Sequence, residues 1–244
     1  MSTAPKPWTH WLLKLQGLLI LSLLFGVCAT RFQLVPFRVA FGSFGLALLG
    51  ASVVGFAAAL VLIWSWFKPA RQHRAYAGVS AVIGVVPVLA VLSMVGPGRL
   101  GSPPIHDITT DTHSPPQFVA ARRERGEGEN SLDYSQGVAS IQERAYPNIK
   151  PLLSHRDYIE AYKHSLATVK KLGWRVLRED MEAGIIEAVD TSSVFGFKDD
   201  VVIRVSVDGE GSRVDMRSVS RVGVSDLGAN AARIARFQAA FEAG

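Results

Sequence analysis

Three long apolar runs in the first 98 residues constrain the fold of this chain more than any other feature. They contain a single charged residue, Lys14, which lies close enough to the end of its run for the ammonium group to reach the membrane surface. A helix needs about 20 apolar residues to cross the hydrocarbon core of a bilayer. The sequence therefore predicts a transmembrane region over residues 1–98. Its three spans lie at about 11–29, 39–67 and 75–95.

The charged residues divide the chain at the same place. No Asp or Glu occurs before residue 99, so all 21 acidic residues lie in the C-terminal part. Seven of the 26 Lys and Arg residues lie in the first 98 residues, which gives +7 there and 19 − 21 = −2 in the rest. A nucleic-acid-binding domain needs a clustered basic face. The charge pattern therefore predicts no binding to nucleic acid.

The flanks of the spans predict the orientation of the chain. With a cytoplasmic N-terminus, the cytoplasmic side carries Lys6, Lys14, Lys68, Arg71 and Arg74, and the other side carries Arg31, Arg38 and Arg99. This bias follows the positive-inside rule. The same cytoplasmic side gathers Trp8, Trp11, Trp64 and Trp66, as an aromatic belt would. We therefore expect a bacterial inner-membrane protein whose C-terminal domain is periplasmic.

The first apolar run has a second interpretation. Lys6, Lys14, the apolar stretch and the small-residue pattern Val27–Ala29 are also typical of a signal peptide with a cleavage site. Cleavage within residues 1–29 would leave two spans in the same orientation. The predicted side of the C-terminal domain is therefore the same in both interpretations.

Small residues recur at every fourth position of the second span, at Ala47, Ala51, Gly55 and Ala59. This spacing lets two helices approach closely in lipid. It favours packing against the chain's own helices, with self-association or contact with another membrane protein as the alternative. The middle of the spans holds no Asp, Glu, Arg or His. Because ion pathways and proton relays use such groups, a transporter or pump is disfavoured.

Residues 99–153 are rich in Pro, Gly and charged residues. This composition predicts a mostly irregular stretch that wraps around the domain that follows it, with a short helix within Ser131–Arg144. A capping box at Ser154–Asp157 then starts a helix, and Gly173 ends it. The inward face of that helix is predicted to carry Tyr158, Ile159, Tyr162, Leu166 and Val169.

Four strands follow, at Trp174–Glu179, Gly184–Asp190, Asp200–Val207 and Arg213–Arg221. A turn at Asp208–Gly211 pairs residues of the last two strands whose numbers sum to 419. Val205 then lies opposite Val214, and Arg204 lies opposite Asp215. The apolar alternation and the charge pair independently indicate this register.

A final helix completes residues 154–244 as an α-β-β-β-β-α domain. Asp226 caps it, Arg233 and Arg236 are predicted to face outward, and Leu227, Ile234, Phe237 and Phe241 are predicted to face inward. The predicted fold class is thus a three-helix membrane region followed by an extracytoplasmic α+β domain. That domain has an antiparallel four-stranded sheet and flanking helices.

The C-terminal part carries three ordered motifs: Ile105–Asp111 followed by Pro115–Phe118, Phe195–Val205, and Asp215–Gly223 continuing through Ser225–Ile234. Together they resemble the family called domain of unknown function 1499. The resemblance covers about residues 100–240. It implies the domain boundaries and an extracytoplasmic setting, with the multi-span region as an addition that some members share. It implies no activity and no catalytic residue.

Two clusters are candidate sites. His106, Asp107 and Asp111 carry side chains that bind divalent metals, although His and Asp also cap turns in Pro-flanked loops. The second cluster lies on adjacent strands and fits either an anion or headgroup site or a charge ladder on a solvated sheet face. It consists of Arg204, Asp215, Arg217 and Arg221.

Phe195 and Phe197 form a further candidate, in the turn before the third predicted strand. They fit a tip that dips into the membrane or binds a partner. They equally fit aromatic rings that close the end of the core.

The sequence carries no positive sign of an enzyme, and we predict no cofactor. It has no Gly-x-Ser-x-Gly elbow, and its only cysteine, Cys28, lies in the first span. We therefore expect a non-enzymatic membrane protein whose periplasmic domain binds a partner protein or lipid, as in assembly of a membrane complex. The alternative is an envelope enzyme that uses a metal at His106 and Asp111.

Overall fold

The computed structural model describes residues 7–244, which divide into two units. The helical unit runs up to Pro97 and includes Val194–Gly196. The α+β unit comprises Gly98–Ser193 and Phe197–Gly244.

The helical unit contains three long helices. They are α1 (His10–Arg31), α2 (Phe37–Phe67) and α3 (Arg74–Val95). The mean hydropathy of their most apolar windows is 2.1, 2.6 and 2.4, the last measured from Arg71. All three are long and apolar enough to cross a bilayer. The prediction of three apolar helices ahead of the α+β domain is confirmed.

Small residues bring these helices into contact. A Cβ atom added at Gly84 of α3 would lie 2.6 Å from the Cα of Gly55 and 2.7 Å from the carbonyl oxygen of Ala51, both in α2. The same carbonyl accepts a 3.1 Å hydrogen bond from Nε2 of Gln16 in α1. Ala47 is also buried, in a cluster with Leu23 of α1. Three of the four small residues of α2 therefore pack against the chain's own helices.

The α+β unit is built on an antiparallel sheet of six strands, not the four that the sequence pattern predicts. The strand order is β1-β6-β5-β4-β3, and β2 also pairs with β6. The strands are β1 (Asp107–Thr109), β2 (Leu152–Ser154), β3 (Arg175–Asp180), β4 (Ile185–Thr191), β5 (Lys198–Asp208) and β6 (Gly211–Ser220). The helices are α4 (Ala120–Glu124), α5 (Gln136–Ala145), α6 (Tyr158–Lys171) and α7 (Ala229–Glu242).

The two additional strands, β1 and β2, have three residues each, too few to show a period of two. Pairing of β2 with β6 also moves the start of α6. Ser154 belongs to the strand, and Asp157 caps the helix by accepting a 2.8 Å hydrogen bond from the backbone N–H of Glu160. The capping box predicted to begin at Ser154 is therefore wrong.

The predicted register of the hairpin between β5 and β6 is confirmed. Val205 pairs with Val214, and Arg204 pairs with Asp215. The connection holds two residues beyond the last pair, and the first of them, Gly209, has φ +59°. Glycine adopts this left-handed conformation without steric cost, so the local sequence supports the register that the alternation of side chains requires.

Both faces of the sheet are covered. On one face, α6 and α7 pack Tyr162, Ile234 and Phe237 against Ile203 and Met216. On the other face, Phe118, Ala121 and Leu132 pack against Val202 and Val219. The residues that cover this second face come from the segment between β1 and α5. We call residues 110–135 the wrapping segment from here on.

Three predicted orientations on the helices are wrong. Arg233 is buried and pairs with Asp199 and Asp190 at the end of the sheet, because these carboxylates lie on the face that α7 covers. Leu227 is 39% exposed and precedes α7, with φ +50°. Ile159 of α6 is 51% exposed.

Candidate functional site

The second face of the sheet carries a buried network of charges. Alternation along β5 and β6 places Arg204, Asp215 and Arg217 on this face, beneath the wrapping segment, and Arg221 directly follows β6. Arg217 and Asp215 are fully buried, and Arg221 is 4% exposed. The interpretation of these residues as a ladder on a solvated face is therefore wrong for Asp215, Arg217 and Arg221. A guanidinium group buried this deeply requires partners for its charge and its N–H groups.

Arg217 is satisfied entirely by residues from outside its own strand. Its Nε and Nη2 donate to the two carboxylate oxygens of Asp107 at 3.0 and 2.7 Å. Nη1 and Nη2 also donate to the backbone carbonyls of Pro116 and Leu132. The ring centroids of Phe118 and Tyr134 each lie 5.2 Å from its guanidinium carbon. One side chain thus holds β1 and several points of the wrapping segment against the sheet.

Asp200 is the central acceptor of the second part of the network. It accepts hydrogen bonds from Nε and Nη2 of Arg221 and from Nε of Arg125, the last at 2.8 Å. Burial disfavours the charge on Arg221, but the hydrogen bond and the charge of Asp200 outweigh it and raise the pKa of that guanidinium. Arg221 also reaches Glu124. Neither Arg217 nor Arg221 is placed to bind a ligand, because their donors are used within the fold.

Glu187 of β4 holds the start of α4. Its fully buried carboxylate accepts hydrogen bonds of 3.0 to 3.1 Å from the backbone N–H groups of Val119, Ala120 and Ala121. These are amides that a helix leaves unpaired at its N-terminus. Alternation along the strand gives this glutamate the same face as the arginines, but sequence alone does not show what covers it.

The third part of the network, around Asp215, extends to the surface of the domain. The carboxylate of Asp215 accepts 2.9 Å hydrogen bonds from Arg204 Nη2 and from Nε and Nη2 of Arg213. Asp111 Oδ2 accepts from the same two arginines at 3.1 Å. Burial raises the pKa of Asp215, but hydrogen bonds from Arg213 and Arg204 outweigh it and hold that pKa below its ordinary value. The Arg204 and Arg213 side chains are 27% and 36% exposed, so this end of the network is open to solvent.

A cleft of about 520 Å³ opens beside Arg213, and we call it the Arg213 cleft. One wall is the stretch Thr110–His113 after β1, and the other is formed by Tyr146, Pro147 and Ile149–Pro151 after α5. Gln142 and Glu143 of α5 also line it. The buried Gln142 joins the two walls, since its amide exchanges hydrogen bonds of 2.9 and 2.6 Å with the backbone N–H and C=O of Thr109.

Arg213 was not predicted to be a site residue. The predicted register nevertheless places it correctly, because residues 213, 215 and 217 of one strand share a face. The other residues of the cleft come from the irregular stretches after β1 and α5. Their approach to β6 depends on the pairing of two three-residue strands, which no sequence pattern indicates.

The candidate metal ligands are not brought together. Asp107 is paired with Arg217, and the oxygens of Asp111 accept from Arg204, Arg213 and the backbone N–H groups of the following turn. His106 Nδ1 lies 3.3 Å from the carbonyl oxygen of Val224. Across residues 7–244, no group of three or more His, Cys, Asp or Glu side chains is arranged to hold a metal ion.

The two candidate aromatic residues lie between β4 and β5. Both Phe195 and Phe197 are half-buried. The backbone N–H of Phe197 donates a 2.9 Å hydrogen bond to Ser192 Oγ. Neither residue lines the Arg213 cleft, so their role as a membrane or partner contact stays a prediction.

The fold and its second face define a small α+β domain, preceded by three apolar helices, in which arginines hold a wrapping segment against the sheet. A family model described as protein of unknown function (DUF1499) matches residues 107–241. The chain therefore belongs to this family, and the match runs from β1 into the last turn of α7. The resemblance seen in the sequence motifs is confirmed. A search of curated proteins gave no match.

The pairing of Arg217 with Asp107 predicts strong energetic coupling. We expect Arg217→Met or Asp107→Leu alone to lower the free energy of unfolding by about 3–5 kcal/mol, because each leaves an unpaired buried charge. The double variant should lose much less than the sum of the single losses. Chemical unfolding of the full chain in detergent, followed by tryptophan fluorescence, measures the coupling.

The matched control is the exposed pair of Arg122 and Asp133. Arg122→Met should leave the unfolding midpoint unchanged, because solvent screens that pair. Additive losses in the Arg217 and Asp107 variants would show that the buried pair does not organise this face.

Proposed function

We propose that this chain is a non-enzymatic integral membrane protein that presents a binding domain outside the cytoplasm. In this proposal the three apolar helices cross the bacterial inner membrane and the N-terminus is cytoplasmic. The α+β domain lies in the periplasm. It binds a partner protein or lipid through the Arg213 cleft, as in assembly of a membrane complex.

The surface of the helical unit supports insertion into a bilayer. Its helices bury small residues such as Ala51 and Ala77 and expose large apolar ones. Leu21, Phe56 and Val82, one from each helix, are all more than 60% exposed. A water-soluble bundle would show the opposite arrangement, whereas lipid chains cover such side chains without cost.

The hydrogen bonding and exposure of the arginines support binding at the Arg213 cleft. Arg217 and Arg221 donate all their hydrogen bonds within the fold, while Arg213 is partly exposed at the edge of a cleft. Concave sites with a few fixed polar groups are where proteins bind ligands. The structure does not favour the alternative of a metal-assisted enzyme, because Asp107 and Asp111 form ion pairs with arginines.

The packing of α2 supports a partner contact outside the three apolar helices. Because Ala47, Ala51 and Gly55 already contact α1 or α3, they are not available to a second copy or another membrane protein. Ala59 is half-buried. We therefore place the partner contact in the α+β domain.

The orientation can be tested by labelling single cysteines in a Cys28→Ser background. Gln72→Cys lies between the second and third spans, and Ser114→Cys lies in the wrapping segment, both at exposed positions. In spheroplasts, a maleimide that cannot cross the membrane should label position 114 and not position 72 until detergent is added. Labelling of position 72 alone would contradict the proposed orientation.

Partner binding can be tested by photo-crosslinking from the cleft in growing cells. A photoreactive phenylalanine analogue at Lys150, in the cleft wall, should form discrete adducts with a protein or a lipid. The same analogue at Lys163, exposed on α6, is the matched control and should form none of them. Identical adducts from both positions, or none from Lys150, would contradict binding through the cleft.

A further inference from the structure

We propose that the Arg213 cleft recognises a zwitterionic group, in which an oxyanion such as a phosphate or carboxylate is joined to an ammonium. This inference rests on the proposed function, since it takes the cleft as the binding site. It goes beyond that function by giving the chemistry of the ligand. Polar atoms in the cleft that make no hydrogen bond within the described chain indicate this chemistry.

Two cationic donors are available for an oxyanion. Nε and Nη2 of Arg213 are held by Asp215 and Asp111, but Nη1 donates to no other atom of the described chain. The paired nitrogens fix the plane of the guanidinium group and leave one donor nitrogen for a ligand. The ammonium group of Lys150, which is exposed in the cleft wall, also has no partner within residues 7–244. Its backbone is anchored by a 2.7 Å hydrogen bond from Gln238 Nε2 to its carbonyl oxygen.

One carboxylate in the cleft keeps an oxygen for an ammonium. Glu143 is exposed, and its Oε1 accepts a 2.7 Å hydrogen bond from Thr112 Oγ1. Its Oε2 accepts none from the part of the chain that the structure describes. Asp111 differs, because both of its oxygens already accept hydrogen bonds. Glu143 is thus the acceptor in the cleft that a bound ammonium can use.

The charges along the cleft favour a ligand that carries both signs. Arg213 and Lys150 contribute two positive charges, and Asp111 and Glu143 contribute two negative charges. A ligand with a single charge meets one attractive set and one repulsive set, whereas a zwitterion is attracted by both. The apolar side of the cleft, at Pro147 and Ile149, offers a surface for the short carbon link between the two charges.

The test measures binding by isothermal titration calorimetry to the full chain in a maltoside detergent, which carries no charge. The probes are O-phosphoethanolamine, glycine, inorganic phosphate and ethanolamine. At least one of the two zwitterions, O-phosphoethanolamine or glycine, should bind tenfold more tightly than inorganic phosphate and tenfold more tightly than ethanolamine. Equal affinity for phosphate and for both zwitterions, or no binding of either zwitterion, would overturn the inference.

Variants at exposed positions separate the two halves of the ligand without disturbing the core. Lys150→Gln should weaken zwitterion binding at least fivefold. Glu143→Gln should abolish the preference for the zwitterion over inorganic phosphate. Lys163→Gln, on α6, is the matched control and should bind as the unaltered chain does. Persistence of the preference in Glu143→Gln would overturn the assignment of Glu143.

Two sources carry this chemistry, a phospholipid headgroup and a free small molecule. Binding of lysophosphatidylethanolamine as tightly as O-phosphoethanolamine supports a lipid source. Loss of binding when the acyl chain is present supports a free zwitterion. If Lys150 crosslinks to a protein partner and no zwitterion binds, the present inference fails while the proposed function stands.

Discussion

The structure of the α+β domain depends on the need to pair the charges buried on the second face of its sheet. A guanidinium group as deeply buried as that of Arg217 is tolerated only with a carboxylate and further acceptors at hand. Asp107 and the carbonyls of Pro116 and Leu132 meet that need. Because these acceptors come from outside β6, the arginine holds in place a segment with little regular structure of its own.

The same network reaches solvent at Arg204 and Arg213. Its inner members, including Asp200 and Glu187, are enclosed and use their hydrogen-bonding atoms within the fold. At the outer end the wrapping segment leaves β6 partly uncovered, and Arg213 lines a cleft there. The cleft therefore exists only while the stretch after β1 is held against the sheet.

Long periodic features of the chain were predictable from sequence, and short ones were not. The three apolar helices follow from their length, and the pairing of Val205 with Val214 follows from alternation and a turn that contains Gly209. Strands of three residues show no period. An alternating strand also looks the same whether its polar face meets water or a covering segment, so the burial of Arg217 could not be read from β6. Arg233 of α7 was wrongly predicted to face outward, because its partners Asp190 and Asp199 lie in β4 and β5 and a helical pattern does not show them.

The central claim is that Arg217 holds the wrapping segment on the sheet, and hydrogen–deuterium exchange of the full chain tests it most directly. In Arg217→Met, backbone amides within residues 113–135 should exchange at least tenfold faster than in the unaltered chain, while those of α6 and α7 stay protected, although less than in the unaltered chain. This result would show that the segment opens locally when its anchor is lost. Unchanged exchange in the segment, or loss of all protection in α6 and α7 together with the segment, would contradict the account.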